Sequence, residues 1–254
     1  MVQRLHQGVR RAAALACGLL AMNATRADMR TAVDGLSLGG SLALTSDYIY
    51  RGVSESDGHP ALQGDLHLDT RGGTFFGVWA TSRSRDLEPG AGAIAELYLG
   101  QRIDLGASWS GTLSLRSRQY VGMQETSDDY QEVSAALNYL DRWSLTLTAI
   151  PNAVRYWFYE RLSRSPAYTA ESAGQWPLGR YLLATAGLGY YRSTGTGAGI
   201  NRGTGYAYGD AGVALERGPW RLDLGYYQAQ RAARRSFPYP LPSHRLAATI
   251  AWQF

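Results

Sequence analysis

The sequence has 254 residues, of which 45% are apolar, and it contains 30 Gly, 17 Tyr, 7 Trp and one Cys. This length suits one large domain or two small ones. A mean hydropathy of −0.26 excludes a protein built from transmembrane helices, because each helix would need about 18 consecutive apolar residues. A single Cys excludes a disulfide scaffold and a cysteine-based zinc cluster.

The basic residues give the chain a net charge of +4 and a pI near 9.2. All 25 are Arg, and most are scattered singly along the sequence. Arg4, Arg10, Arg11 and Arg26 lie within residues 1–27, which contain no acid, so the rest of the chain is formally neutral. We therefore predict no nucleic-acid partner.

Residues 1–27 have the pattern of a secretory signal peptide. The arginine-containing start is followed by an apolar stretch at 12–22, which is too short to span a membrane. Small residues follow, with cleavage predicted after Ala27 or after Ala24. The sequence thus predicts an exported protein whose working domain is 28–254.

The remainder of the chain alternates apolar and polar residues with a period of two, which is typical of strands. The last segment shows this plainly, since Leu246, Ile250 and Trp252 share one face. Pro151 interrupts the seventh predicted strand and favours a bulge or a strand end there. The twelve predicted strands are 36–52, 60–70, 74–83, 92–104, 109–120, 130–139, 143–157, 167–176, 181–192, 205–216, 220–230 and 243–254.

The predicted connections alternate between short and long. Connections of a few residues follow the even strands, and longer ones follow the odd strands. A soluble sandwich has no reason to sort its loops in this way, whereas membrane barrels have short periplasmic turns and longer outer loops. An even number of strands also places both chain ends on the periplasmic side.

Aromatic residues crowd the predicted strand ends, where a half-apolar ring suits a membrane interface. The fold class predicted is therefore all-β, a single transmembrane antiparallel up-and-down β-barrel of about twelve strands in the bacterial outer membrane. The terminal aromatic Phe254, at the end of an amphipathic strand, indicates the barrel-assembly machinery as a partner. The aromatic residues are Tyr48, Tyr50, Trp109, Tyr139, Trp143, Tyr168, Trp176, Tyr190, Trp220, Tyr226, Trp252 and Phe254.

Several segments carry a family resemblance. Residues 46–54, 60–64, 75–82, 96–100 and 132–139 resemble the TorF-type porin family (Gcw_chp), proteobacterial outer-membrane β-barrels of poorly defined function. The resemblance extends along the exported chain and is tightest over 42–100. It implies an outer-membrane barrel and gives no substrate.

Charged residues fall on the strand face opposite the apolar one. Asp47 and Arg51 are four residues apart and share a face if Leu42, Leu44 and Tyr48 face lipid. Either these charges select solutes, or they form a salt-bridge network that holds the wall. The predicted pore-lining residues are Asp47, Arg51, Asp65, His67, Asp69, Glu96, Arg102, Arg116, Arg118, Glu132, Glu171, Asp210, Arg221 and Asp223.

These charges predict a porin-like channel for passive diffusion of small polar solutes or ions, leaning towards cations because acids outnumber bases. The small-solute substrate stays unknown. One alternative is a structural or binding barrel whose lumen is plugged by inward side chains such as Trp79, Tyr98 and Tyr227. Another is a soluble, lipocalin-like binder.

An outer-membrane enzyme that modifies or hydrolyses lipids is a further alternative. It would need a nucleophile beside a base. His59, His67 and His244 are the histidines of the exported chain, and no catalytic, cofactor or metal motif surrounds them. We predict no enzyme activity, no cofactor and no metal. Outer-membrane lipid and lipopolysaccharide are the expected partners. Arg231, Arg234 and Arg235 either contact lipopolysaccharide phosphates or simply belong to a solvated loop, and the sequence favours the loop.

Overall fold

The computed structural model of the chain describes residues 35–83, 92–122, 128–140, 142–154, 156–157, 160–161, 164–195, 203–235 and 244–254. The predicted signal peptide, 1–27, lies outside the described residues. The described strands are β1 (Leu36–Thr45), β2 (Ile49–Tyr50), β3 (Val53–Ser54), β4 (Ala61–Thr70), β5 (Thr74–Ser82), β6 (Ala93–Asp104), β7 (Trp109–Val121), β8 (Tyr130–Tyr139), β9 (Trp143–Ala153), β10 (Tyr156–Trp157), β11 (Glu160–Arg161), β12 (Ser165–Pro177), β13 (Leu182–Ser193), β14 (Gly205–Arg217), β15 (Trp220–Ala229) and β16 (His244–Gln253).

Twelve of these strands form a closed barrel, in the order β1-β16-β15-β14-β13-β12-β9-β8-β7-β6-β5-β4. Every neighbouring pair is antiparallel, and β1 closes the barrel against β16, with Leu42 opposite Trp252. Closure leaves no unpaired sheet edge. The predicted twelve-stranded antiparallel up-and-down barrel is therefore confirmed.

The two faces of the wall differ in chemistry. Along β6, Leu97 and Leu99 are more than half exposed on the outside, whereas Glu96 and Tyr98 are buried inside the barrel. The same alternation recurs around the wall, and it places an apolar band outside and polar side chains inside. Among the described residues, no helix is long and apolar enough to cross a membrane.

The two ends of the barrel also differ. One end, called here the short-turn end, carries the tight turns 71–73, 105–108, 140–142, 178–181 and 218–219 together with the C-terminus. The opposite end, called the long-loop end, carries the longer connections. The predicted sorting of loops by length is thus present in the fold.

Strand β1 ends at Thr45, so the prediction of one strand over 36–52 is wrong. The carboxylate of Asp47 accepts hydrogen bonds from the hydroxyls of Ser54 (2.5 Å) and Ser56 (3.0 Å) and from the backbone N–H of Gly58 (3.2 Å). These bonds turn the chain into the barrel. The resulting segment, residues 46–59 with β2 paired to β3, is called here the lumen hairpin.

The two-residue turn of this hairpin is Arg51-Gly52, with φ of 51° and 76°. Positive φ at both central residues is the type I′ geometry that suits the twist of a tight hairpin. A Cβ at Gly52 would lie 2.6 Å from the Cβ of Tyr208 and 3.1 Å from that of Ala229. The tip of the hairpin is therefore pressed against the barrel wall at β14 and β15.

Gly52→Ala is expected to destabilise the protein for two reasons. Ala is strained in the left-handed backbone conformation of this position, and its Cβ would overlap the Cβ of Tyr208. The backbone effect alone is about 1–2 kcal/mol. Urea unfolding of the refolded barrel measures the loss. Gly179→Ala is the matched control, since a Cβ there has nothing within 4 Å. Equal loss in the two variants would contradict the packing of the tip.

The predicted strand 143–157 also ends early, at Ala153. Pro151 lies at an irregularity, since Ala153 pairs with Ser165 whereas Ile150 pairs with Ala167. Two residues of β9 thus oppose one of β12, and the bulge predicted from Pro151 is confirmed. The following residues form the separate hairpin β10-β11.

Candidate pore constriction

The lumen hairpin crosses the interior of the barrel. Its side chains Tyr48, Tyr50 and Val53 are only 6%, 5% and 1% exposed. Val53 packs in one cluster with wall residues of β14 and β15, and Tyr48 and Tyr50 pack in another with residues of β5 and β6. The hairpin leaves β1 and contacts several sides of the wall, so it lies across the lumen in the half nearer the long-loop end.

The base of the hairpin is held by charge. Besides its bonds to Ser54 and Ser56, Asp47 faces the guanidinium of Arg245 on β16, with Oδ2 3.6 Å from Nε. Arg245 also lies 3.5 Å from Asp57. The polar base therefore fixes where the hairpin enters the lumen.

The tip of the hairpin is clamped by Glu132 on β8. An Oε1 of Glu132 lies 2.9 Å from Nη2 of Arg51 and accepts a 2.8 Å hydrogen bond from the hydroxyl of Tyr50. Burial lowers the pKa of the Arg51 guanidinium, but Glu132 and the neighbouring Tyr50 and Glu171 together raise it well above its usual value. Both partners are at most 5% exposed, so this ion pair is shielded from solvent.

Arg118 on β7 is the centre of a second clamp. It is fully buried, lies 2.7 Å from Glu96 and 3.9 Å from Glu55 of the hairpin, and donates a 3.2 Å hydrogen bond to the hydroxyl of Tyr48. Its guanidinium also stacks 4.2 Å from the centre of the Tyr50 ring. Both tyrosines and Glu55 belong to the lumen hairpin, so one wall arginine binds the hairpin at three points.

Two further arginines complete this network. Arg83 lies 3.3 Å from Glu55, and Arg116 lies 3.2 Å from Glu96, on the same strand face as Arg118. Burial raises the pKa of Tyr48 despite the opposing effect of Arg118, so its hydroxyl stays protonated and hydrogen-bonding. The charges in this part of the lumen are therefore paired, both within the wall, as at Glu96, and between wall and hairpin, as at Glu55.

A double-mutant cycle tests the clamp at the tip. Arg51→Gln and Glu132→Gln each take the nearest opposite charge from a buried group, whereas the double variant removes both charges. We expect a coupling of about 2 kcal/mol in the free energy of unfolding, measured by urea titration. Single effects that add within about 0.5 kcal/mol would show that the pair does not hold the hairpin.

A third polar group lies in the half of the barrel nearer the short-turn end. Nδ1 of His67 is 2.6 Å from Asp65 and its Nε2 is 3.4 Å from Asp69. Tyr98 donates a 2.7 Å hydrogen bond to Asp65, and Arg102 lies 3.8 Å from Asp69. This group links β4 and β6 and does not touch the hairpin through these bonds.

The remaining predicted residues fall on the other wall. Arg221 pairs with Glu216 and, at 2.7 Å, with Asp223 near the short-turn end. Glu171 on β12 accepts a 2.7 Å hydrogen bond from Tyr208. Asp210 on β14 points towards β13, since a Cβ at Gly187 would lie 2.5 Å from its Oδ1.

The structure therefore brings together five of the predicted pore-lining residues, in two clamps around the hairpin. They are Arg51, Glu96, Arg116, Arg118 and Glu132. Asp47 lies at the hairpin base, and Glu171 is near enough to Arg51 to raise the pKa of its guanidinium. The others lie away from the hairpin, with Arg102 exposed: Asp65, His67, Asp69, Arg102, Asp210, Arg221 and Asp223.

Three features of the site were missed in the sequence. Tyr48, expected to face lipid, is buried inside the barrel, because it belongs to the hairpin and not to a wall strand. Tyr50 was expected at the interface and is likewise internal. Glu55 falls in a predicted long connection and Arg83 at the end of the predicted strand 74–83, and neither is among the predicted pore-lining residues. The dipeptide Arg51-Gly52 carried the missed turn signal.

The serines and histidine near the hairpin are engaged in structural bonds. Ser54 and Ser56 donate to Asp47, and Nδ1 of His59 lies 3.2 Å from the backbone oxygen of Ser56. This arrangement orders the hairpin base and does not pair a hydroxyl with the imidazole. Across the described ranges, no group of three or more His, Cys, Asp or Glu side chains is placed to hold a metal ion.

Solved structures with the same fold are outer-membrane channels. The NanC porin matches with a TM-score of 0.57 and 10% identity, covering 86% of this chain and 99% of that chain. The KdgM porin, solved in complex with disordered oligogalacturonate, matches with a TM-score of 0.50 and 8% identity, covering 86% and 98%. Identities this low show the fold alone, which resembles bacterial outer-membrane proteins.

An outer-membrane channel from Pseudomonas putida F1 gives a TM-score of 0.48 and 12% identity, covering 90% of this chain and 98% of that chain. No curated protein has significant sequence similarity to the chain. Residues 29–137 match the model of a family described as bacterial protein of unknown function (Gcw_chp). The matched range includes residues 42–100, where the family resemblance of the sequence is tightest, and it does not include 138–254. Over residues 29–137, which include the lumen hairpin, the chain is similar to the Gcw_chp family.

Proposed function

We propose that this protein is an outer-membrane channel for passive diffusion of small polar solutes or ions, with its passage set by the lumen hairpin. The observation that carries the proposal is a closed twelve-stranded barrel, apolar outside and charged inside, crossed by a hairpin that is clamped through ion pairs. A bilayer tolerates a sheet only when it closes on itself.

The exterior supports a membrane-spanning position. The wall strands have 9 to 13 residues, which matches the length needed to cross a bilayer at a tilt. Outward residues such as Leu62, Leu188 and Leu246 are 61%, 66% and 70% exposed, and lipid would cover them. The short-turn end would face the periplasm, after export by the signal peptide 1–27 and insertion by the assembly machinery through the strand ending at Phe254.

The interior supports a narrow rather than a wide channel. Side chains of the hairpin and wall lie across the lumen in the half nearer the long-loop end, and their charges are matched in pairs such as Arg51 with Glu132. Ion pairs are strong in a water-free interior and weaken when water enters, because water solvates both charges. A hairpin held by ion pairs can therefore move aside within a hydrated lumen at a moderate cost in free energy. A solute would pass where the hairpin shifts, with Asp65, His67 and Asp69 lining the wider half beyond it.

Planar-bilayer recording of the refolded protein tests the proposal. We expect small single-channel steps with fluctuations, and liposome swelling with the smallest sugars and amino acids but little with larger ones. An inserted barrel that gives no conductance steps over a wide voltage range would contradict the channel proposal.

The same hairpin favours a second candidate, a permanently plugged barrel that serves as a structural or binding protein. Val53, Ser56 and Arg118 are at most 1% exposed, which is the packing of a protein core. A barrel that stays silent as wild type but conducts once the hairpin is removed would support this candidate. Both candidate functions are non-enzymatic. Ser54, Ser56 and His59 form bonds within the hairpin base and are not arranged as a nucleophile beside a base.

A further inference from the structure

Arginines recur in the turns of the short-turn end. Four of its five turns or turn boundaries carry one, namely Arg71, Arg142, Arg180 and Arg217, and all four are exposed. The chain contains no Lys, so each of these cations is a planar guanidinium. These four residues are called here the arginine rim.

The arginine rim is not neutralised by the protein itself. Within the described part of the chain, none of the four forms an ion pair, although Arg180 lies 5.0 Å from the ring centre of Tyr181. The acidic residue at the remaining turn, Asp104, accepts a 2.9 Å hydrogen bond from the backbone N–H of Gly106. Glu216, which precedes Arg217, pairs with Arg221 and not with the rim. The four exposed guanidiniums are therefore open to an external anion.

Indole rings lie directly beside the arginine rim. Five of the seven tryptophans begin or end wall strands at this end, and Arg217 is the register partner of Trp220. Trp109 packs against Tyr139 and Trp143, with ring centres 4.7 Å and 6.3 Å apart. Such rings settle at the level of lipid headgroups, so the guanidiniums beside them reach the phosphates. The five are Trp109, Trp143, Trp176, Trp220 and Trp252.

We propose that the arginine rim is a binding site for the phosphate groups of anionic phospholipids in the leaflet that surrounds the short-turn end. A guanidinium presents two parallel N–H groups that match phosphate oxygens. The indole belt selects a lipid over a free phosphate, because it places the headgroup layer at the height of the arginines. The inference rests on the membrane-spanning part of the proposed function and not on conduction.

The tryptophans of the belt supply the assay. The protein is refolded into phosphatidylcholine vesicles that contain a minor fraction of phosphatidylglycerol, with brominated acyl chains on one lipid or the other. Bromine quenches only nearby indoles, so the ratio of the two quenching efficiencies measures enrichment around the belt. An arginine at an anionic surface favours the charged lipid by about fivefold, and we expect severalfold enrichment overall.

Arg71, Arg142, Arg180 and Arg217 are then replaced together by Gln, which should bring the enrichment close to one. Arg192→Gln with Arg231→Gln is the matched control, because these exposed arginines lie at the opposite end. As a test independent of mutation, wild-type enrichment should vanish at about 1 M salt, where the screening length is about 3 Å.

Two results would overturn the inference. Equal quenching by both brominated lipids in the wild type shows that the rim does not select anionic lipid, even if the protein conducts. If the variant with all four rim arginines replaced still enriches the anionic lipid, the lipid selectivity comes from another part of the protein. Absence of quenching by either lipid would contradict insertion itself, and so the proposed function as well, whereas a silent but inserted barrel leaves the lipid site intact.

Discussion

Replacing residues 48–57 by a short Gly-Ser turn is expected to raise the single-channel conductance several-fold. The hairpin lies across the lumen in the half nearer the long-loop end, with Tyr48, Tyr50 and Val53 buried against the wall. Removing it leaves a twelve-stranded barrel with a hydrated, charged interior, and conductance rises with the free cross-section. Planar-bilayer recording of both proteins under the same salt gives the comparison.

The deletion must leave the barrel folded, and heat-modifiable migration in electrophoresis checks this. Asp57→Asn is a control for the hairpin base, because Asp57 is exposed and its contact with Arg245 spans 3.5 Å. We expect this control to conduct like the wild type. A folded deletion variant with unchanged conductance would mean that the hairpin does not limit the passage.

Arg118→Gln is expected to have the largest effect of any single substitution. Arg118 is fully buried, and its loss would remove the nearest cation of Glu96 and the more distant of the two cations beside Glu55. Removing one partner of a buried ion pair costs about 3–5 kcal/mol. The free energy of unfolding in urea should fall accordingly, and frequent open-channel fluctuations should appear as the hairpin loosens.

Arg116→Gln is the matched control, since Arg116 lies on the same face of β7 and also pairs with Glu96, at 3.2 Å. Its side chain is 16% exposed, and Glu96 keeps Arg118 after the change. We therefore expect a clearly smaller loss of stability and quiet recordings. Equal effects from the two substitutions would contradict the central role of Arg118.

The barrel could be predicted from the sequence because every wall strand alternates apolar and polar residues. Residues such as Leu97 and Leu99 alternate with Glu96 and Tyr98, and a membrane barrel imposes that alternation on every strand. Loop lengths then gave the strand count and the identity of the two ends. Neither inference needs to know which residues meet across the interior.

The lumen hairpin could not be predicted in the same way, because its position depends on distant partners. Tyr48 and Tyr50 continue the apolar face of β1, and Asp47 and Arg51 continue its polar face. Alternation alone therefore extends that strand to Gly52. What redirects the chain is the set of bonds made by Asp47 and the clamp from Glu132, which is 82 residues away from Tyr50. Long-range contacts of this kind leave no local periodicity to detect.

The lumen hairpin must lie inside the barrel in a lipid environment if it limits the passage, and nuclear magnetic resonance tests that directly. In nanodisc-embedded protein with labelled Val methyls and Tyr rings, we predict nuclear Overhauser contacts from Val53 to Tyr206 or Tyr208, its cluster partners on β14. Val53 methyls with random-coil shifts and no contact to tyrosines of the barrel wall would place the hairpin outside the lumen and contradict the account.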